Sequence, residues 1–203
     1  MNFNIEKVVD MKKILLFLTK GFELIEMSAF VDVFGWNKTF NKIDIDVITC
    51  GFNKEIKSTF NVTLTVDKVF HEINPDDYDA MVIPGGFGYF GFYEEAYDER
   101  LLNLIRDFDS KKKPIATVCV SALILGKSGI LKGKKATTYH LMDGRRQRQL
   151  EEFGAIIEGG SVVKDEHIIT SWCPSTAPYV ALELLETMTS KEYKDYIKEI
   201  MGY

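Results

Sequence analysis

The stretch "KKPIATVCVSALILGKSG", Lys112 to Gly129, decides how the chain is read. A short apolar run, Ile115 to Val118, is bounded by Pro114 and gives way at once to Cys119 and an apolar segment that stops at Gly129. Such a run is long enough for a buried strand, and the segment after it has the length and Gly stop of a helix. Strand and helix then meet at Cys119 with almost no residues to turn in. A residue there stands at the carboxyl end of a strand, where open α/β sheets place their ligands.

Outward from this corner, short apolar runs alternate with longer amphipathic ones. "KKILLFLT" from Lys12, "IDIDVITC" from Ile43 and "YDAMVIPGG" from Tyr78 read as strands. "LIEMSAFVDVFGW" from Leu24, "DERLLNLIRDFDS" from Asp98 and "DGRRQRQLEEFG" from Asp143 read as helices, as do "STAPYVALELLETM" from Ser175 and "KEYKDYIKEIM" from Lys191. "NVTLTVD" reads as one strand of a small hairpin, "KKATTYH" as a further strand, and "VVKDEHIITSW" as a strand pair or one bent strand. The alternation predicts an α/β fold with a mostly parallel sheet covered by helices on both faces. With no repeat, linker or low-complexity segment, residues 12–203 are expected to form one domain after an N-terminal extension, 1–11.

The chain has 203 residues, 46% of them hydrophobic, and a formal net charge of -5. That charge gives no general attraction to nucleic acid or to an anionic membrane, and neither partner is expected. No apolar run approaches the roughly 20 residues that span a bilayer. Three cysteines, Cys50, Cys119 and Cys173, are too few and too dispersed for a disulfide framework or zinc site. Cytoplasmic localisation is the default expectation, with no metal and no cofactor.

Three features near the strand ends carry chemistry. Cys119 faces the amino terminus of the following helix, whose free N–H groups favour thiolate, so its pKa is expected to fall. Cysteine is also a common small buried hydrophobe. Glu26 lies in the first turns of the first helix among Leu24, Ile25, Met27 and Phe30. An acid there can simply complement the helix dipole, but Glu23 is placed to do so too. Beside a thiolate in a dry site, Glu26 would share a proton with the sulfur and serve as donor or base. In "PGGFG", the N–H groups of Gly85 and Gly86 can bind a developing oxyanion, or the segment is a tight turn alone.

Taken together these segments resemble the ThiJ/PfpI superfamily, which includes the parkinsonism-associated deglycase-like proteins and shares the class I glutamine-amidotransferase-like fold. "KGFELIEMSAFVDVF", "DAMVIPGG", "IATVCVSALILGKSGILKGKKATTY" and "IITSWCPSTAPYVALELLE" carry the resemblance, which spans roughly Lys12 to Thr189. It implies a flavodoxin-like doubly wound fold, usually a homodimer. It also implies Cys119 as nucleophile, Glu26 as its hydrogen-bond partner, and backbone N–H groups from Gly86 and Val120.

One departure bears on the chemistry. Many members place a histidine directly after the Thr-Thr pair; here Tyr139 stands there and His140 follows. Consecutive side chains of a strand face opposite ways, so His140 does not simply replace the imidazole unless the strand has ended. This weakens a Cys-His hydrolase or peptidase. Tyr139, His140, Cys173, Pro174 and Phe87 are the expected substrate-pocket residues, and Cys173 is a candidate resolving thiol for Cys119. The reading favoured is a cysteine-dependent enzyme on a small-molecule substrate, hydratase- or glyoxalase-like. A redox-responsive or chaperone-like protein and an intracellular peptidase or amidase are the alternatives.

Two further signals have bland accounts. "GFGYFG", Gly86 to Gly91, matches a dinucleotide fingerprint, but its aromatics would crowd a pyrophosphate. The basic run "GRRQRQ" reads as a solvated helix face with Arg148 paired to Glu151 or Glu152, or as a site for an anion. The aromatics Phe87, Tyr89, Phe90, Phe92 and Tyr93 are expected either to wall an apolar pocket or to cover a subunit interface.

Overall fold

The computed structural model describes residues 11–203; nearly all of the expected extension lies outside the described residues. In chain order the elements are β1 (Lys12–Phe17), α1 (Leu24–Trp36), β2 (Ile45–Gly51), β3 (Glu55–Lys57), β4 (Thr63–Thr65), β5 (Lys68–Val69) and β6 (Ala80–Ile83). Then come α2 (Phe92–Ala96), α3 (Glu99–Ser110), β7 (Ile115–Thr117), α4 (Ala122–Ser128), β8 (Lys135–Ala136), α5 (Arg145–Glu152) and β9 (Ile156–Ile157). The chain ends with β10 (Val162–Asp165), β11 (Ile168–Ser171), α6 (Ala177–Met188) and α7 (Lys191–Met201).

Seven strands form one sheet in the order β10-β11-β7-β6-β1-β2-β5. All its pairings are parallel except β10 with β11. Parallel strands covered on both faces are apolar along their buried length, as in β6 and in β1 after its two opening lysines: Ile14, Leu15, Leu16 and Phe17, then Ala80 to Ile83, are all fully buried. The α/β reading is correct, and the sheet has the doubly wound form.

The helices pack as their sequence periods direct. α1 turns Ala29, Phe30, Val33 and Phe34 inward, and α3 buries Leu101, Leu102, Leu104, Ile105 and Phe108. Asp98 caps α3 by accepting from the Arg100 N–H. The expected hairpin is β3 with β4, and the expected strand pair is β10 with β11.

One expected strand is largely absent. Of "KKATTYH" only Lys135–Ala136 is a strand, paired with β9 outside the main sheet. The segment that follows is tied to the main sheet through a side chain of β11: the Thr137 backbone N–H donates to Thr170 Oγ1, 2.9 Å.

The strand order reverses between β1 and β6, since β2 and β5 lie beyond β1 while β7 and β11 lie beyond β6. That switch point opens a crevice at the carboxyl ends of the strands. Three loops converge there: β1 to α1, β6 to α2, and β7 to α4.

Candidate active site

Cys119 stands two residues after β7, in the left-handed region at φ 59°. Non-glycine residues avoid that region, so the surroundings must hold the turn in place. Ser121 does so. Its hydroxyl oxygen lies 2.7 Å from Ile83 O and 2.6 Å from Val118 O, and it accepts from the Val118 N–H over 3.1 Å. Thr138 Oγ1 donates to the Cys119 carbonyl, 2.7 Å, tying the loop after β8 to the elbow.

The register of β6 and β7 explains what faces the thiol. Ile83 pairs with Thr117, so continuing both chains two residues sets Gly85 beside Cys119. A Cβ added at Gly85 would lie 2.9 Å from Glu26 Oε2, 2.9 Å from Val118 O and 3.0 Å from Cys119 Cβ. Gly85 therefore fills the narrow gap between acid and thiol, which no side chain could share.

Glu26 has no exposed surface. Its Oε2 accepts from the Gly85 N–H at 2.6 Å. Its Oε1 is buried without a hydrogen-bond partner, and the Cys119 side chain is a neighbour of the carboxyl. Burial lifts the Glu26 pKa to about 8, against a smaller downward pull from the Gly85 N–H. At neutral pH the carboxyl therefore holds its proton.

The expected fall in the Cys119 pKa does not occur. The thiol is only 8% exposed, and burial drives its pKa well above the ordinary value, with the Glu26 charge adding to the effect. The Val120 N–H pulls it back, but α4 begins only at Ala122, after a 3-10 turn, and does not offer its whole terminus to the sulfur. Two charges cannot coexist in this space. The pair carries at most one, with the remaining proton between sulfur and carboxyl.

The backbone donors also differ from expectation. The Gly85 N–H is committed to Glu26 and cannot serve an oxyanion. Gly86 lies in an antiparallel bridge with Phe22, held by Glu23 N–H to Gly85 O and Phe87 N–H to Gly21 O. That pattern leaves the Gly86 N–H outside both bonds. Gly86 and Val120 both line the cavity over the thiol.

The cavity is about 440 Å³ and is walled by Glu26, Cys119, Phe87, Tyr89, Tyr139, Leu141, Met142 and Pro174, with Arg145 and Arg146 at one side. Of the expected pocket residues, Phe87, Tyr139 and Pro174 are in the wall. His140 is not: its ring packs on Trp172 at 4.1 Å, and its Nδ1 is buried with no partner. Cys173 is outside the wall too, its Sγ 3.3 Å from Ser175 Oγ.

The basic run is solvated in part, with Arg145 and Arg148 exposed, but its expected ion pairing is not observed. Arg148 pairs with Asp143 at 3.7 Å and not with Glu151 or Glu152, and Arg145 and Arg146 reach the cavity instead. The cause is a turn at Asp143-Gly144, a dipeptide that favours turns, extended by a left-handed Met142. Met142, Asp143 and Gly144 are all left-handed, at φ 54°, 67° and 70°, and they swing α5 toward the crevice.

With this geometry in view, comparison with known proteins is informative. The DJ-1/PfpI family model matches residues 12–187. A Methanocaldococcus jannaschii protein of uncharacterized function is 33% identical over 90% of this chain and 85% of its own. The glutathione-independent glyoxalase DJ-1 of Schizosaccharomyces pombe is 32% identical over 90% of this chain and 94% of its own. Among solved structures, Drosophila melanogaster DJ-1beta superposes with a TM-score of 0.82 at 27% identity, covering 94% of this chain and 97% of that one.

Proposed function

Because the chain belongs to the DJ-1/PfpI family and sets a thiol against a proton-bearing carboxyl, we propose that it is a cysteine-dependent enzyme acting on small carbonyl electrophiles, with net addition of water as in a glyoxalase. The observation that carries this reading is the Glu26–Cys119 contact at the base of a 440 Å³ cavity. The name of the Schizosaccharomyces pombe relative supports the same class.

On a 2-oxoaldehyde the steps balance without a cofactor. The Cys119 sulfur adds to the aldehyde carbon as the thiol proton passes to Glu26 and the Glu26 proton passes to the new oxyanion, which the N–H groups of Gly86 and Val120 hold. Glu26 then gives its proton to the neighbouring carbonyl oxygen and takes the one on the former aldehyde carbon, forming an enediol, and it next returns a proton to the neighbouring carbon while recovering one from the first carbon's hydroxyl. The first carbon is thereby oxidised to a thioester and the second reduced to an alcohol. One water hydrolyses the thioester, releasing a 2-hydroxy acid and restoring the thiol.

A peptidase needs a base that also protonates an amine leaving group. His140, stacked on Trp172 away from the cavity wall, does not supply one. The experiment is turnover of methylglyoxal to lactate by the protein and by Cys119→Ala. Loss of turnover in the variant is expected. Turnover that survives Cys119→Ala would refute the reading. No turnover by either, with ready peroxide oxidation of Cys119, would favour a redox-responsive protein.

A further inference from the structure

Arg145 and Arg146 have no part in the chemistry above, yet both line the cavity that holds the thiol. Neither guanidinium has a carboxylate within 4.0 Å among the described residues, although fifteen ion pairs are made by other lysines, arginines and a histidine and Arg148 takes Asp143. Arg145 is exposed and Arg146 half-buried, so the two guanidinium groups stand where the cavity meets solvent, with no acid among the described residues to neutralise them. Surface arginines ordinarily find an acid or bulk water; one that faces a confined space is available to a ligand.

Their placement is held by the fold. The left-handed residues Met142 to Gly144 set the start of α5 at the cavity, and backbone held in that region must be supported by its neighbours. Arg146 lies 5.0 Å over the Tyr93 ring and donates from Nη1 to Gln149 Oε1, 2.9 Å. Tyr93 itself stands directly behind Gly88 of the cavity wall, where a Cβ on that glycine would approach its ring at 3.1 Å. The rest of the cavity wall is mainly apolar and includes Leu141, Met142, Tyr139 and Phe87. The carboxyl that lines the cavity, Glu26, bears a proton at neutral pH and does not repel an anion.

We propose that Arg145 and Arg146 select an anionic substrate: a carbonyl electrophile carrying a carboxylate at the far end of a short apolar spacer. This rests on the reading of Cys119 as nucleophile and names the substrate class for that site. The carboxylate accepts from the guanidinium groups while the carbonyl carbon reaches the sulfur.

Two measurements test it, and they fail separately. The first compares alkylation of Cys119 by iodoacetate and iodoacetamide, near-isosteres that differ by one charge. In each case an S–CH2 bond forms, the C–I bond breaks and iodide leaves. Peptide mapping follows Cys119 apart from Cys50 and Cys173. The ratio of the two rate constants, iodoacetate over iodoacetamide, is expected to fall at least tenfold in Arg145→Met/Arg146→Met. Arg145→Lys/Arg146→Lys is expected to retain most of it, which separates charge from packing. A ratio unchanged in the methionine variant overturns the proposal.

The second compares kcat/KM for 4,5-dioxopentanoate, a 2-oxoaldehyde with a terminal carboxylate, against neutral methylglyoxal. A preference of tenfold or more for the anion, lost in the methionine variant, is expected. Turnover of neither compound, with the alkylation ratio as expected, refutes the glyoxalase-type reaction and upholds the anion site. Equal turnover of both with an unchanged ratio upholds the reaction and refutes the anion site.

Discussion

Gly85 donates its N–H to Glu26 Oε2 at 2.6 Å while its Cα stands so close to Cys119 that an added methyl would lie 3.0 Å from the cysteine Cβ. One glycine thus fixes the acid and sets the acid-to-thiol spacing. Gly85→Ala forces apart three groups, one of them the Val118 carbonyl of the backbone, which cannot swing away. Overpacking of this kind costs about 1–3 kcal/mol. Denaturant unfolding should show that loss, and iodoacetamide should label Cys119 of the folded variant at a clearly altered rate. Unchanged stability together with an unchanged labelling rate would mean the gap is not as tight as it measures.

The buried carboxyl makes stability depend on pH in a definite direction. The Glu26 pKa is raised from 4.5 to about 8 on folding, so the folded state holds a proton that the unfolded chain releases. Its stability contribution is full below about pH 4.5, declines as pH rises, and is lost once pH passes about 8. Within that window the slope approaches ~1.4 kcal/mol per pH unit, for a total on the order of 5 kcal/mol as an upper bound. Glu26→Gln cannot ionise. The difference in unfolding free energy between wild type and Glu26→Gln should therefore shift against wild type between pH 5 and pH 8. A difference that stays flat across that range would place an ionised carboxylate at Glu26.

Much of this arrangement is legible in the sequence because it follows from strand ends. α1 and α7 occupy Leu24–Trp36 and Lys191–Met201, the segments whose 3.6 period marks them. Gly85 and Cys119 sit two residues after β6 and β7, Glu26 sits in the first turn of the helix after β1, and neighbouring parallel strands bring these carboxyl ends together. What sequence hides is set by backbone turned against its usual preference. Lys135–Ala136 ends early as a strand, His140 goes to Trp172, and three left-handed residues carry Arg145 and Arg146 to the cavity. Period reports none of these: Asp143-Gly144 marks a turn, but Met142 is not a residue type that signals φ above zero, and the direction α5 takes after the turn is not written in its period. The thiol's burial was equally hidden: a helix start is visible in sequence, but the depth at which it lies is not.

His140 tests whether an imidazole matters. Its ring stacks on Trp172 and its buried Nδ1 has no hydrogen-bond partner. A phenyl ring keeps the stacking and removes an unsatisfied polar atom, whose burial costs about 1–3 kcal/mol. His140→Phe should melt no lower than wild type and turn over methylglyoxal within about twofold of it, a change too small for a lost general base. A loss of a hundredfold or more in kcat would return His140 to the reaction.

The elbow itself stores strain that can be measured without any substrate. Cys119 sits at φ 59°, where a Cβ costs roughly 1 kcal/mol or more and glycine costs nothing. In most positions Ala is the more stable of the two replacements, because glycine gains more freedom in the unfolded chain. At this corner the order should reverse: Cys119→Gly should exceed Cys119→Ala by about 1 kcal/mol in unfolding free energy, while neither retains turnover. Both variants delete the same sulfur and its contact with Glu26, so that loss cancels in the comparison. If alanine proves the more stable, the residue at 119 rests in ordinary helical or extended backbone, and the Ser121 and Thr138 hydrogen bonds are not holding it in a disfavoured one.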